Sequence, residues 1–142
     1  MTLFNALIRT HHITSRKKLA KLRVAFTAPE HTGLTLAVLH IGASPGMIYI
    51  EGRDREAINS WIAVVQGLQY KYFTIISKTD VAIDRCTVGV NIEKRLEAAP
   101  ESLDMGFREV NSISNFGKFM KARGLKEWWL QAMGWDKKMN GQ

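Results

Sequence analysis

The sequence predicts an α+β fold of strand–helix–strand–strand–helix–strand order followed by two further helices. Three observations carry this. Two segments place apolar residues at helical spacing, a Pro-Gly connection separates two β-rich runs lying between those segments, and aromatic and β-branched residues follow the second of them directly.

Taken in order, Leu3 to Ile13 is rich in apolar residues and reads as a strand. The polar pair Thr14-Ser15 then suits the cap of a helix whose apolar stripe is Leu19, Leu22 and Phe26, with Lys17, Lys18 and Lys21 projecting away from it. Pro29 and Gly33 end that helix. Leu34 to Ile41 and Met47 to Glu51 are β-rich, and Gly42-Ala43-Ser44-Pro45-Gly46 between them is a hairpin connection. After Gly52 the period changes: Ile58, Trp61, Ile62, Val65 and Leu68 share one helical face, with Gly67 near its end. Tyr70 to Ser77 is expected to be the fourth strand. Two right-handed crossovers with this order give a four-stranded antiparallel sheet with two helices on one face, the ferredoxin-like βαββαβ sandwich.

That core is expected to span residues 1–78 of a single domain, 1–142, with a helical C-terminal extension from about 79. Within the extension, Thr79 to Glu93 suits a loop or short strand, Ala98 to Ser102 an exposed loop, and Phe107 to Val110 a further short strand. Ser112 or Ser114 then caps a helix carrying Ile113, Phe116, Phe119 and Met120 and ended by Gly124. Leu125, Trp128, Trp129 and Met133 form a second, ended by Gly134.

Composition narrows the function classes. No apolar run is long enough to span a bilayer. The single cysteine, Cys86, excludes an intramolecular disulfide and a multi-cysteine zinc site, and suits a reducing nuclear or cytoplasmic compartment. The formal charge of +7 is uneven: residues 1–29 hold Arg9, Arg16, Lys17, Lys18, Lys21 and Arg23 with no acidic side chain. Such clustering suits a phosphate-rich partner, or a solvated charged surface. An acid-free, Arg-containing N-terminus also fits a transit peptide, the lesser reading because the same residues build the first strand and helix.

No catalytic constellation is visible, so no catalytic residue, metal ligand or cofactor is expected. Cys86 has no base or orienting partner near it in sequence. Adjacent His11 and His12, on a strand, would face opposite sides, and His31 and His40 lack ligand spacing. Asp54 and Glu56 suit the first turn of a helix, where acids favour the dipole.

The strings Thr10-His11-His12-Ile13-Thr14-Ser15-Arg16-Lys17-Lys18 and Ser44-Pro45-Gly46-Met47-Ile48-Tyr49-Ile50-Glu51-Gly52, then Trp61, resemble the domain found at the C-terminus of the spliceosomal protein Prp-three and of RWD-domain-containing proteins. Phe107-Arg108-Glu109-Val110, Gly124-Leu125, Trp128-Trp129 and Met133-Gly134 resemble that family's closing part. The resemblance covers nearly the whole chain and is nearer the RWD-associated branch, and a sequence starting directly in this domain fits either a stand-alone version or a fragment of a longer RWD-containing protein. It implies a ferredoxin-like core with C-terminal additions. In the splicing branch it implies an RNA-binding module engaging small nuclear RNA.

The expected site is the junction of the first strand and helix. Backbone N–H groups at a helix start attract anions. Arg16, Lys17 and Lys18 in that first turn oppose the dipole at about 0.3–1 kcal/mol each when exposed, which makes sense if a phosphate completes the site. Arg9, His11, His12, Ser15, Arg16, Lys17, Lys18 and Lys21 are therefore the candidate RNA or phosphate contacts. Tyr49 and Tyr72 are candidate stacking platforms, unless the C-terminal helices cover the sheet. The alternative partner is a protein, docking on the Trp128–Trp135 region without RNA.

Overall fold

The computed structural model describes residues 2–84 and 106–135, with side chains described for 4–77 and 106–135. Five strands are present among these residues: β1 (Thr2–Thr10), β2 (Leu34–His40), β3 (Gly46–Gly52), β4 (Thr74–Asp84) and β5 (Gly106–Val110). Four α-helices accompany them: α1 (Arg16–Phe26), α2 (Arg55–Gly67), α3 (Ile113–Ala122) and α4 (Lys126–Met133). The fold class is α+β. No described helix is long and apolar enough to cross a membrane. Cys86 and the expected loop at Ala98 to Ser102 lie outside the described residues.

The strand order is β4-β1-β3-β2-β5. The first four strands pair antiparallel, and β5 adds in parallel to β2, so the sheet is mixed. Strand alternation divides its side chains cleanly. Ala6, Ile8, Ala37, Leu39, Ile48 and Ile50 face α1 and α2, where they meet Leu19, Leu22, Ile58, Trp61 and Val65. Leu7, Val38, Met47 and Tyr49 face the other way, against Phe116, Phe119, Met120 and Trp129 of α3 and α4. A register shift between Leu34 and Leu36 explains why two residues of like parity lie in different cores: Leu34 joins the first and Leu36 the second.

Local chemistry sets the helix ends. Ser15 caps α1 by accepting from the Lys18 N–H at 3.2 Å, Asp54 caps α2 through the Glu56 N–H, and Ser112 caps α3 through the Asn115 N–H. Gly124 and Gly134 follow α3 and α4 with φ of 75° and 77°. Gly52 needs its missing Cβ for another reason, because one would meet the Gly33 carbonyl oxygen at 2.6 Å.

Two expected strands are shorter at one end of the sheet. β1 stops at Thr10 rather than Ile13, and β4 starts at Thr74 rather than Tyr70. In the second case Gln69 and Tyr72 take φ of 60° and 57°, which no strand accommodates, and residues 68–73 become a connection. At its other end β4 runs on to Asp84, across the expected boundary between core and extension. Residues 106–135 contribute both a sheet strand and the layer over the second face.

Candidate functional site

The end of β1, the start of α1, the β2–β3 connection and the α2–β4 connection meet at one end of the sheet. Three backbone bonds fix residues 11–13 there. The His11 N–H donates to the Lys71 carbonyl at 2.9 Å, the Gly46 N–H to the His11 carbonyl at 3.0 Å, and the Gly42 N–H to the Ile13 carbonyl at 3.0 Å. Gly46 permits the approach, since a Cβ on it would collide with the Thr10 hydroxyl and with Ile13 Cγ1.

His11 and His12 do not split between core and solvent as strand alternation predicts, because the strand ends before them. His11 is half-buried, His12 is exposed, and their rings meet edge-on with centroids 3.9 Å apart. Among the described residues, no group of three or more His, Cys, Asp or Glu side chains stands together as metal ligands. His31 and His40 serve structure instead: His31 Nδ1 lies 2.6 Å from the Ala25 carbonyl, and His40 Nδ1 lies 2.7 Å from the Pro45 carbonyl.

At the start of α1, the Ser15 hydroxyl takes the Lys18 N–H, while the N–H groups of Arg16 and Lys17 meet no acceptor among the described residues. Lys17 and Lys21, one turn apart, are exposed. Lys18 is turned aside, with Nζ 4.9 Å from the centroid of the Tyr70 ring. Arg16 corrects the expectation of three uncompensated cations. Its guanidinium bonds Glu109 Oε1 at 3.1 Å, and Arg23 holds Oε2 of the same carboxylate at 2.9 Å. Glu109 sits on β5, so this fork fastens α1 to the edge strand, and its sequence distance hid it.

A concavity of about 340 Å³ opens at this junction, walled by His11, His12, Ser15, Lys18, Tyr70 and Lys71 among others. Tyr70 is buried there, and its hydroxyl has no hydrogen-bond partner among the described residues. Burial pushes its pKa up to about 12, so it remains a proton donor through the neutral range. The unfolded chain loses this proton near pH 10 and the folded chain only near pH 12, so folded Tyr70 holds the proton more tightly. Stability is accordingly expected to fall as pH rises through that window. Chemical denaturation at several alkaline pH values checks this, and Tyr70→Phe should flatten the decline.

The two tyrosine platforms fare differently. Tyr49 is fully buried beneath α4, with its ring edge-on to Trp128 at 6.0 Å, so it is unavailable for stacking. The reason is the covering of the second sheet face by α3 and α4. Tyr72 is 76% exposed, on the α2–β4 connection rather than on the sheet, with its ring 5.5 Å from His11. Arg9 is exposed beside it, and both line a second concavity of about 390 Å³.

In the tryptophan-rich end, Trp129 is buried against Phe116 at 5.5 Å and edge-on to Trp135 at 5.5 Å, while Trp128 is half-buried. Lys137 and Lys138 lie outside the described residues.

Sequence reasoning missed a buried polar cluster under this layer. Glu51 on β3 pairs with Arg123 after α3, and the Tyr49 hydroxyl donates to Glu51 Oε1 at 2.5 Å. Burial lowers the Arg123 pKa from its usual value, and the neighbouring Tyr49 opposes that shift. A glutamate within an otherwise apolar β3 was the available signal. Neither a family model nor a curated protein matches the chain.

Proposed function

We propose that this chain is a non-catalytic RNA-binding module of ferredoxin-like fold, which holds phosphate at the junction of β1 and α1. The antiparallel order β4-β1-β3-β2, with α1 and α2 on one face, supports the fold reading. The observation that carries the function is the open start of α1. Among the described residues, two N–H donors without acceptors lie in the same first turn as Lys17 and Lys18, and the adjoining concavity is lined by His12, Lys18 and Lys71 with no acidic side chain. Arg16 contributes to the local field but is already committed to Glu109. The resemblance to the spliceosomal domain points to the same ligand, and with it to mRNA splicing and a nuclear or cytoplasmic setting. The protein-partner alternative has weaker support, since Trp129 is consumed by packing.

Fluorescence anisotropy of labelled single-stranded RNA at two salt concentrations tests this. Micromolar or tighter binding is expected, with log affinity falling by about 0.7 per neutralised phosphate for each unit of log salt. The Lys17→Ala/Lys18→Ala/Lys21→Ala variant should bind at least about tenfold more weakly, with its salt slope reduced by about 2 if each lysine meets one phosphate. Affinity independent of salt would contradict the phosphate reading.

A further inference from the structure

The concavity at the start of α1 does not stand alone. It shares His11 with the concavity beneath Arg9 and Tyr72, and that one shares Ile76 and Ala132 with a third, of about 280 Å³, bordered by Trp128 and Gln131. The three form one track from the junction, past Tyr72, along β4 to α4. Among the described residues, no aspartate or glutamate lines any of them, whereas Arg9, Lys18 and Lys71 do. The described lining therefore has one sign of charge and a tyrosine or tryptophan at three places, Tyr70 at the junction, Tyr72 in the middle and Trp128 at the far end.

Tyr72 is the telling residue. A tyrosine with φ of 57° is in a conformation that bulky side chains rarely adopt, and 76% exposure means that it buries little in return. Its contribution to folding does not explain its position. An edge contact with His11 holds the ring upright on the rim of the track.

We infer that the track takes an unpaired RNA strand, a phosphate at the start of α1 and the adjoining base stacked on Tyr72, with Trp128 available to a later base. This rests on the phosphate reading of the junction and adds the strandedness of the ligand. Bases stacked inside a duplex cannot reach an aromatic rim, whereas those of a single strand turn out to do so. Arg9 and Lys71 flank Tyr72 in sequence or across the sheet end and supply charge for the intervening phosphates.

The test compares three ligands on the full chain by anisotropy: a short oligouridylate, an abasic ribose-phosphate oligomer of the same length, and the oligomer paired into a duplex. The oligouridylate should bind tightest. Tyr72→Ala should weaken it about five- to a hundredfold while leaving the abasic oligomer unchanged, and Tyr72→Phe should retain the affinity. Equal binding of abasic and base-bearing oligomers, or a Tyr72→Ala variant indistinguishable from the parent, overturns the stacking inference and leaves phosphate binding standing. Failure of all three ligands to bind at low salt overturns it together with the reading beneath it. Because Tyr72 is exposed, loss of fold does not confound the comparison.

Discussion

Arg123→Met is expected to cost about 3–5 kcal/mol of folding stability, because it leaves the Glu51 carboxylate buried without its cation. Both members of this pair are enclosed, Arg123 at 4% exposure and Glu51 at 0%. Glu51 belongs to the central strand β3, and Arg123 ends α3, so the pair ties the C-terminal layer to the sheet it covers. Desolvating two charges largely cancels their attraction, so the pair itself adds little net stability, and the damage comes from removing the guanidinium that faces a buried carboxylate. That distinction is measurable. Glu51→Leu/Arg123→Met removes both charges and should recover most of the loss in urea denaturation, despite carrying an additional substitution. A single variant losing less than about 1 kcal/mol would mean that water reaches Glu51 and that the covering layer is loose.

Trp61→Ala should be comparably severe, at about 3–5 kcal/mol, through a different mechanism. Trp61 is fully buried on α2, and its Nε1–H donates to the Leu22 carbonyl on α1 at 3.3 Å. It thus fills the space where α1, α2 and the sheet converge, and truncation opens a cavity there. Trp61→Phe keeps much of the volume and forfeits one hydrogen bond of about 1 kcal/mol, so a smaller loss is expected. Equal costs for alanine and phenylalanine would show that the hydrogen bond, rather than packing, dominates at this position.

The first core was legible in the sequence because its signals are local. Leu19, Leu22 and Phe26, and Ile58, Trp61, Ile62 and Val65, declare two helical faces by spacing alone, and each is buried as that spacing implies. Ser15 and Ser112 are recognisable as caps for the same reason. What escaped depends on contacts distant in sequence. Glu109 lies 93 residues from Arg16, and no periodicity reveals that it neutralises one of the three first-turn cations. Likewise, burial of Tyr49 follows from α3 and α4 folding over the sheet, which strand alternation by itself does not determine. The positive φ of Tyr72 has no signature in a tyrosine, since glycine is the residue that usually announces that conformation.

These errors reshape the site without moving it. Lys18, His11, His12 and Ser15 line one concavity at the start of α1, and Lys71 and Tyr70 join them from a connection that sequence reasoning assigned to a strand. Of the two aromatic candidates, only Tyr72 presents a face to solvent.

Amide chemical-shift mapping during titration with a short oligouridylate tests the central claim most directly, because it locates the ligand as well as detecting it. The largest shifts are predicted at the backbone N–H groups of Arg16 and Lys17 and along Gln69 to Tyr72, fading with added salt. Shifts confined to α3 and α4, or an unchanged spectrum at low salt, would contradict phosphate binding at the β1–α1 junction.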